Sequence, residues 1–217
     1  MTLLRTHRRL DLETKQENAD PHFFTDVLYG DECGKMFGVL VCEDAQGAEV
    51  VLRAFSCQHS SAWHIPGWVG PIVDTAVFDP VAARASVEVH RLNDLIKHGE
   101  KGSVQRAALV AERRAISRRL VKELRGLYLL QNFRGEKRLL ADAFVGKGGI
   151  PWGTGDCCAP KLLHAAAMRG LKPRAMAEFF WGRTNSSGTR EEGTFYPPCE
   201  ERCTPILGFM LCGVSDV

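Results

Sequence analysis

The sequence has no apolar run approaching the roughly 18 residues that a membrane-spanning helix needs, so no bilayer span is expected. It also lacks an excess of either charge. Lys and Arg number 28 against 26 Asp and Glu, and the net charge of +2 is too small to argue for a nucleic-acid partner by itself. No internal repeat and no low-complexity tract is visible, which sets aside repeat architectures. The basic start, Met1 to Leu10, leads into Asp11, Glu13 and Glu17 rather than into an apolar core and a small-residue cleavage site. Transit peptides are poor in acids, so no targeting segment is expected. The Gly-rich stretch Gly146 to Gly155 lacks the Gly-Lys-Ser/Thr ending of a phosphate-binding loop. What is present, 217 residues with 45% hydrophobic and 25% charged side chains, suits one large domain able to bury its own core.

Eight cysteines are present. In a chain of this size with no signal peptide they favour a reducing, cytoplasmic setting over a disulfide framework. Cys33, Cys42 and Cys57 fall in or beside strand-like segments and Cys212 in an apolar helix end, where each reads as a small buried hydrophobe. The other four form two clusters. Gly153 to Lys161 carries Cys157 and Cys158, and Tyr196 to Cys203 carries Cys199 and Cys203. Each cluster opens a segment that reads as a helix, and a helix N-terminus favours the thiolate. Cys199 and Cys203 are one helical turn apart and can face one ion. A third ligand would come from Cys157 or Cys158, so the expected centre is zinc held by Cys157, Cys199 and Cys203, with Cys158 as the fourth candidate. His164 reads as a helix-surface residue rather than a ligand.

The polar, irregular residues 1–30 read as a mobile N-terminal arm, and residues 31–217 as a single α/β domain with a helical insertion at 80–132. Within it, Lys35 to Cys42 and Glu49 to Ser56 form a hairpin around the turn residues Glu43 to Gly47. His59 to Asp79, rich in Trp, Gly and Pro, reads as an ordered loop. Helical periodicity follows from Pro80, interrupted at His98 to Gly102. Lys161 to Met168 continues as a helix capped by Asp156 or a cysteine, Arg174 to Trp181 as a strand, and Cys199 to Cys212 as a last helix. The expected fold is α/β, three-layered, with a mixed sheet flanked by helices.

In the second inserted helix Leu109, Ile116, Leu120, Leu124 and Leu127 draw one apolar face. Residues 104–125 carry a net charge of +5, and Arg113, Arg114, Arg118, Lys122 and Arg125 lie mainly on the other side. Such a stripe is either a solvated face or a phosphate-binding array for RNA. Trp63, Trp68, Trp152 and Trp181 stand beside Gly and Pro, where packing under loops is the commoner role and base stacking the other.

A strand pair, a cysteine-led helix, a strand and a second cysteine-led helix resemble the cytidine deaminase fold. That family holds zinc with a His or Cys at one helix start and Pro-Cys-x-x-Cys at the next, and a Glu two residues after the first ligand carries protons. Pro198-Cys199 matches the second motif, but three residues separate Cys199 from Cys203, and Ala159 and Pro160 stand where the Glu would be. The remaining candidates for that carboxylate are Asp156, Glu178 and Glu200, and no spacing selects one.

A second resemblance covers more of the chain. Gly34-Lys-Met-Phe-Gly-Val-Leu-Val41, Ala54-Phe-Ser56, His64-Ile-Pro-Gly67 and Pro71 to Asp74 open it. Gly155-Asp-Cys157, Ala159-Pro-Lys-Leu-Leu163, Leu171-Lys-Pro173, Ala175-Met-Ala-Glu-Phe179, Trp181-Gly182 and Phe195-Tyr-Pro197 continue it, with Cys199, Cys203 and Pro205-Ile-Leu207. In order over residues 34–212, these resemble the N-terminal region of the long, two-part RluA-type pseudouridine synthases. In that family the synthase domain follows this region and carries a catalytic Asp, often as Arg-Leu-Asp. Val217 leaves no room for that domain, and Arg9-Leu-Asp11 lies in a polar stretch with no flanking strand, so synthase activity is not expected. The resemblance implies an RNA-modification-associated accessory or RNA-binding domain, with RNA or a separate modification enzyme as partner. The alternatives are a zinc-dependent deaminase and a metal-free protein-interaction module, the last predicting dispersed cysteines and a large exposed apolar patch.

Overall fold

The computed structural model describes residues 1–30 and 33–216. A short helix α1 (Thr2–His7) is followed by 3₁₀ turns to Tyr29 and by strands β1 (Lys35–Glu43) and β2 (Glu49–Phe55). Helices α2 (Thr75–His98) and α3 (Val104–Arg125) come next, then the small hairpin β3 (Leu129–Gln131) and β4 (Lys137–Leu139). The chain finishes with α4 (Leu140–Ala143), α5 (Cys158–Met168), β5 (Lys172–Trp181), β6 (Phe195–Tyr196) and α6 (Thr204–Met210).

The main sheet has the order β2-β1-β5-β6, and every pairing in it is antiparallel. The mixed sheet expected from the sequence is therefore corrected. No parallel crossover is present, because β5, entered from α5, runs antiparallel to β1. Alternation along the strands splits the side chains between two faces. Leu40, Cys42, Leu52 and Ala54 face α5 and join the larger core with Leu162, Leu163 and Ala166. Phe37, Phe55, Phe179 and Trp181 face the other way.

That second face is not covered by a helical layer. Leu4, Leu10 and Leu28 are buried on it together with Ile65 of the Trp-rich loop. Residues 1–30 are thus packed against the sheet and are not a free arm, a correction with a simple cause: a half-apolar sheet face must bury its aromatics against something, and this segment supplies the cover. Arg9-Leu-Asp11 forms its inner corner. The buried Arg9 and Asp11 side chains pair at 3.2 Å, and Trp68 Nε1 donates to the Leu10 carbonyl at 2.7 Å. Leu10 is fully buried. Leu10→Ala is therefore expected to lower the unfolding free energy by about 2–5 kcal/mol in urea titrations, whereas a free arm would tolerate the change at no cost.

His59 fastens the same cover. It is fully buried, and its Nε2 meets the Phe24 carbonyl at 3.1 Å. Burial first, and then the charge of Lys35, push its pKa down from 6.5 to about 4. The unfolded chain takes up this proton below pH 6.5, but the folded one does not until about pH 4. The stability His59 contributes is complete above pH 6.5, declines below it and is gone once the pH has fallen through about 4. Urea midpoints measured between pH 7 and pH 4.5 should fall more steeply for wild type than for His59→Gln.

The helical insertion starts earlier than Pro80, because Asp74 caps α2 by accepting from the Ala76 N–H at 2.9 Å. The break at 98–102 is present, and Ser103 caps α3 by accepting from the Arg106 N–H at 3.2 Å. The end of the insertion differs from expectation. Residues 129–139 form the β3–β4 hairpin, whose turn is built on Asn132 Oδ1 accepting from the N–H groups of Arg134 and Glu136. The helical pattern of the sequence runs on to 132 only because Leu127 and Leu130 extend the apolar spacing.

Candidate metal centre

Gly38 of β1 lies opposite Glu178 of β5, on the face that meets α5. A Cβ at Gly38 would come within 2.7 Å of Cys158 Cβ and 2.9 Å of Leu162 Cδ1, so glycine lets the start of α5 rest directly on the sheet. Cys158 consequently points inward. Its thiol faces the carbonyls of Met36 at 3.3 Å and Ala54 at 3.7 Å, and it is fully buried. The fourth-ligand expectation for Cys158 is corrected: the close approach of α5 to Gly38 turns its sulfur into the core, outside the group formed by Cys157, Cys199 and Cys203.

Cys157, at the N-cap position of α5, faces the opposite way. The turn before it is held firmly. Gly155 has φ +98°, and a Cβ there would strike the Tyr128 ring at 2.8 Å. Tyr128 Oη donates to Asp156 Oδ1 at 2.7 Å, and the Cys57 N–H donates to the Asp156 carbonyl at 2.9 Å. Burial raises the Asp156 pKa, opposed by the Tyr128 hydrogen bond. Asp156 therefore positions the Cys157 turn rather than facing a substrate. It does not cap α5 either. That role falls to Glu178, whose Oε1 accepts from the Ala159 N–H at 2.9 Å.

The second cluster forms a single helical turn ahead of α6. The N–H groups of Cys203 and Thr204 both donate to the Cys199 carbonyl, at 3.0 and 3.1 Å. The helix proper begins only at Thr204, later than the expected Cys199. The turn is enough to put both sulfurs on one side, 3.4 Å apart. The ligand atoms of Cys157, Cys199 and Cys203 all lie within 4.8 Å of one another. Metal–sulfur bonds near 2.3 Å in tetrahedral geometry separate sulfurs by about 3.8 Å, so the three cysteines could hold one metal ion. Hydrogen bonds from Cys157 and then Cys203 lower the Cys199 thiol far below its usual range, and backbone N–H groups of Cys203 and Arg202 assist. The same sharing raises Cys203, and the bond with Cys199 raises Cys157. The direction of the Cys199 shift is toward the thiolate, the form a metal ion requires.

The open side of the trio faces a cleft of about 490 Å³, within the range of small-ligand sites. Glu178, Cys57, Lys35, Arg190 and Arg202 line it with the sulfurs. Glu178 is 6% exposed, and burial raises its pKa to about 6 against the pull of the Ala159 N–H. Glu200 is exposed and lies outside the lining, so of the three carboxylates only Glu178 shares the cleft with the sulfurs. Cys57, expected to be buried, is exposed at the mouth. Beneath it Lys161 is buried, with Nζ donating to the Phe55 carbonyl at 2.8 Å and burial lowering its pKa. Arg202 was legible from its place beside Cys203. Cys57 was not, since only the fold brings the end of β2 to the 153–157 turn.

Of the seven basic residues of α3, the five expected to grip phosphates divide into two groups. Arg113 donates to Asn93 Oδ1 at 2.8 Å, and Arg125 donates to the Ile150 carbonyl. Arg114, Arg118 and Lys122 are exposed, four residues apart. No helix among the described residues is long and apolar enough to cross a membrane. Comparison with protein-family models, with curated proteins and with solved structures returns no match.

Proposed function

We propose that this chain is a zinc-centred domain of RNA modification whose centre is hydrolytic, of the deaminase type, acting on the exocyclic amino group of a nucleobase. The observation that carries this reading is the placement of Glu178 in the same cleft as the three cysteine sulfurs. The deaminase resemblance calls for a carboxylate two residues after the first ligand. Here Ala159 occupies that position, and the carboxylate reaches its backbone N–H from the neighbouring strand instead. The helix N-terminus and the proton carrier are thereby reunited from different parts of the chain. A helix led by Cys157, resting on the β2-β1-β5 face, also supports the deaminase-like arrangement.

Zinc held by Cys157, Cys199 and Cys203 would supply Lewis-acid activation of a water in its fourth position. Glu178 does the proton work. Oε1 is held by the Ala159 N–H, and the carboxylate would carry one proton of the attacking water to the ring nitrogen and the remaining hydroxyl proton to the departing amine. Water is consumed, ammonia leaves, and a carbonyl replaces the amino group. Arg190, Arg202 and Lys35 in the lining suit a substrate bearing phosphate. The RNA setting rests on the likeness to the RluA-type synthases.

The test is metal content of protein purified without added metal, paired with ammonia release from cytidine, adenosine and short single-stranded RNA. One zinc per chain with zinc-dependent ammonia release supports the reading. Absence of metal defeats the zinc centre altogether. Zinc without ammonia from any of the three leaves a structural centre and overturns the catalytic part.

A further inference from the structure

The Trp152 loop and the basic face of α3 meet along one groove of the α2–α3 hairpin. Trp152 is 58% exposed and lines an apolar trough with Leu120, Val121 and Ala82. Val89 and Ser117 border both this trough and the adjoining one, which is rimmed by Arg113, Arg114 and Arg118. The two troughs are therefore continuous, of about 500 and 560 Å³. An aromatic platform beside a row of cations is the combination that holds single strands: bases stack on the ring and phosphates follow the charges. Arg114, Arg118 and Lys122 repeat every four residues, about 6 Å along a helix axis. Two carboxylates of the hairpin are engaged by other arginines, Glu123 by Arg84 at 3.4 Å and Glu88 by Arg91 at 2.6 Å.

We infer that this groove binds a single-stranded polynucleotide, with a base stacked on Trp152 and phosphates on Arg114 and Arg118. Double-stranded nucleic acid is disfavoured, because its bases offer no free face to the indole. Trp152 precedes Cys157 by five residues, so the platform lies no more than about 18 Å from that ligand. A strand held here has a nucleotide within reach of the cleft. Delivery to the cleft rests on the proposed deaminase-type centre, but strand binding itself does not.

The experiment is fluorescence anisotropy of a labelled 12-nucleotide single-stranded RNA with the full chain, titrated across salt concentrations. Trp152→Ala is expected to weaken binding by about 5- to 150-fold, the loss of one stacked base. Arg114→Ala/Arg118→Ala should weaken it further and reduce the slope of log affinity against log salt by about 1.4, the share of two single-strand phosphate contacts. Both variants change exposed side chains, and unchanged thermal melting confirms that they fold. Affinity for the matching duplex equal to that for the single strand, an unchanged Trp152→Ala variant, or equal competition by polyglutamate each overturns the inference. Strand binding with no ammonia release separates the two proposals in one direction. Ammonia release from nucleosides with no strand binding separates them in the other.

Discussion

Glu178→Gln should abolish ammonia release, with a loss of roughly 10²- to 10⁴-fold, while leaving bound zinc and the melting temperature nearly unchanged. The amide keeps an oxygen to accept from the Ala159 N–H, so the junction between β5 and the start of α5 survives. What disappears is, among the described residues, the one carboxylate that lines the cleft with the sulfurs. Glu178→Ala separates the two roles of the side chain. It removes the acceptor as well, leaves the Ala159 N–H buried and unpaired, and should cost about 1–3 kcal/mol in urea unfolding. If the Gln variant retains full activity, Glu178 only caps a helix and the proton carrier is elsewhere. If the Ala variant is as stable as wild type, the hydrogen bond to Ala159 contributes nothing.

The second large effect belongs to the sulfurs. Cys199→Ser/Cys203→Ser is expected to lose all bound zinc, because the remaining Cys157 cannot hold the ion alone. Binding that favours the folded state adds stability by mass action, about 2.7 kcal/mol when the metal stands at a hundred times its dissociation constant. Wild type treated with a chelator should therefore melt lower than untreated wild type. The double variant should show no response to the chelator. Cys158→Ser provides the control: its sulfur faces the Met36 and Ala54 carbonyls, so zinc content should stay at the wild-type level. Loss of zinc in Cys158→Ser with normal folding would restore a four-cysteine site and overturn the three-ligand geometry.

Much of this centre was legible along the chain. The spacing of Cys199 and Cys203 places two sulfurs on one turn whatever follows, since one turn is a local property. The strand pair, the break between α2 and α3 and the helix after Cys157 follow from turn residues, caps and periodicity, which are local as well. Three other features were not local. Cys157 and Cys158 are chemically identical neighbours, and only the close approach of α5 to Gly38 decides which sulfur is turned into the core. Asp156, Glu178 and Glu200 are equally good candidates by composition. The register of β1 against β5, which sets Glu178 opposite Gly38, separates the one that shares a cleft with the sulfurs.

The N-terminal segment shows the same division. Its polar, irregular pattern matches a free arm, and its buried leucines, Leu4, Leu10 and Leu28, have no periodicity to signal burial. They are buried because the aromatic face of the sheet needs a cover, a demand set by strands distant in sequence. The basic stripe on α3 is likewise written in the sequence, but its division into engaged and exposed cations depends on what α2 and the Ile150 loop place beside it. The sequence by itself determined residue chemistry and the order of local elements, because these depend on neighbours within a few positions. Tertiary structure alone decided which thiol, which carboxylate and which arginine face a common space, because that choice depends on strand register and helix approach between segments distant in sequence, 104 and 122 residues apart for the Cys158 thiol and 20 and 25 for the engaged arginines.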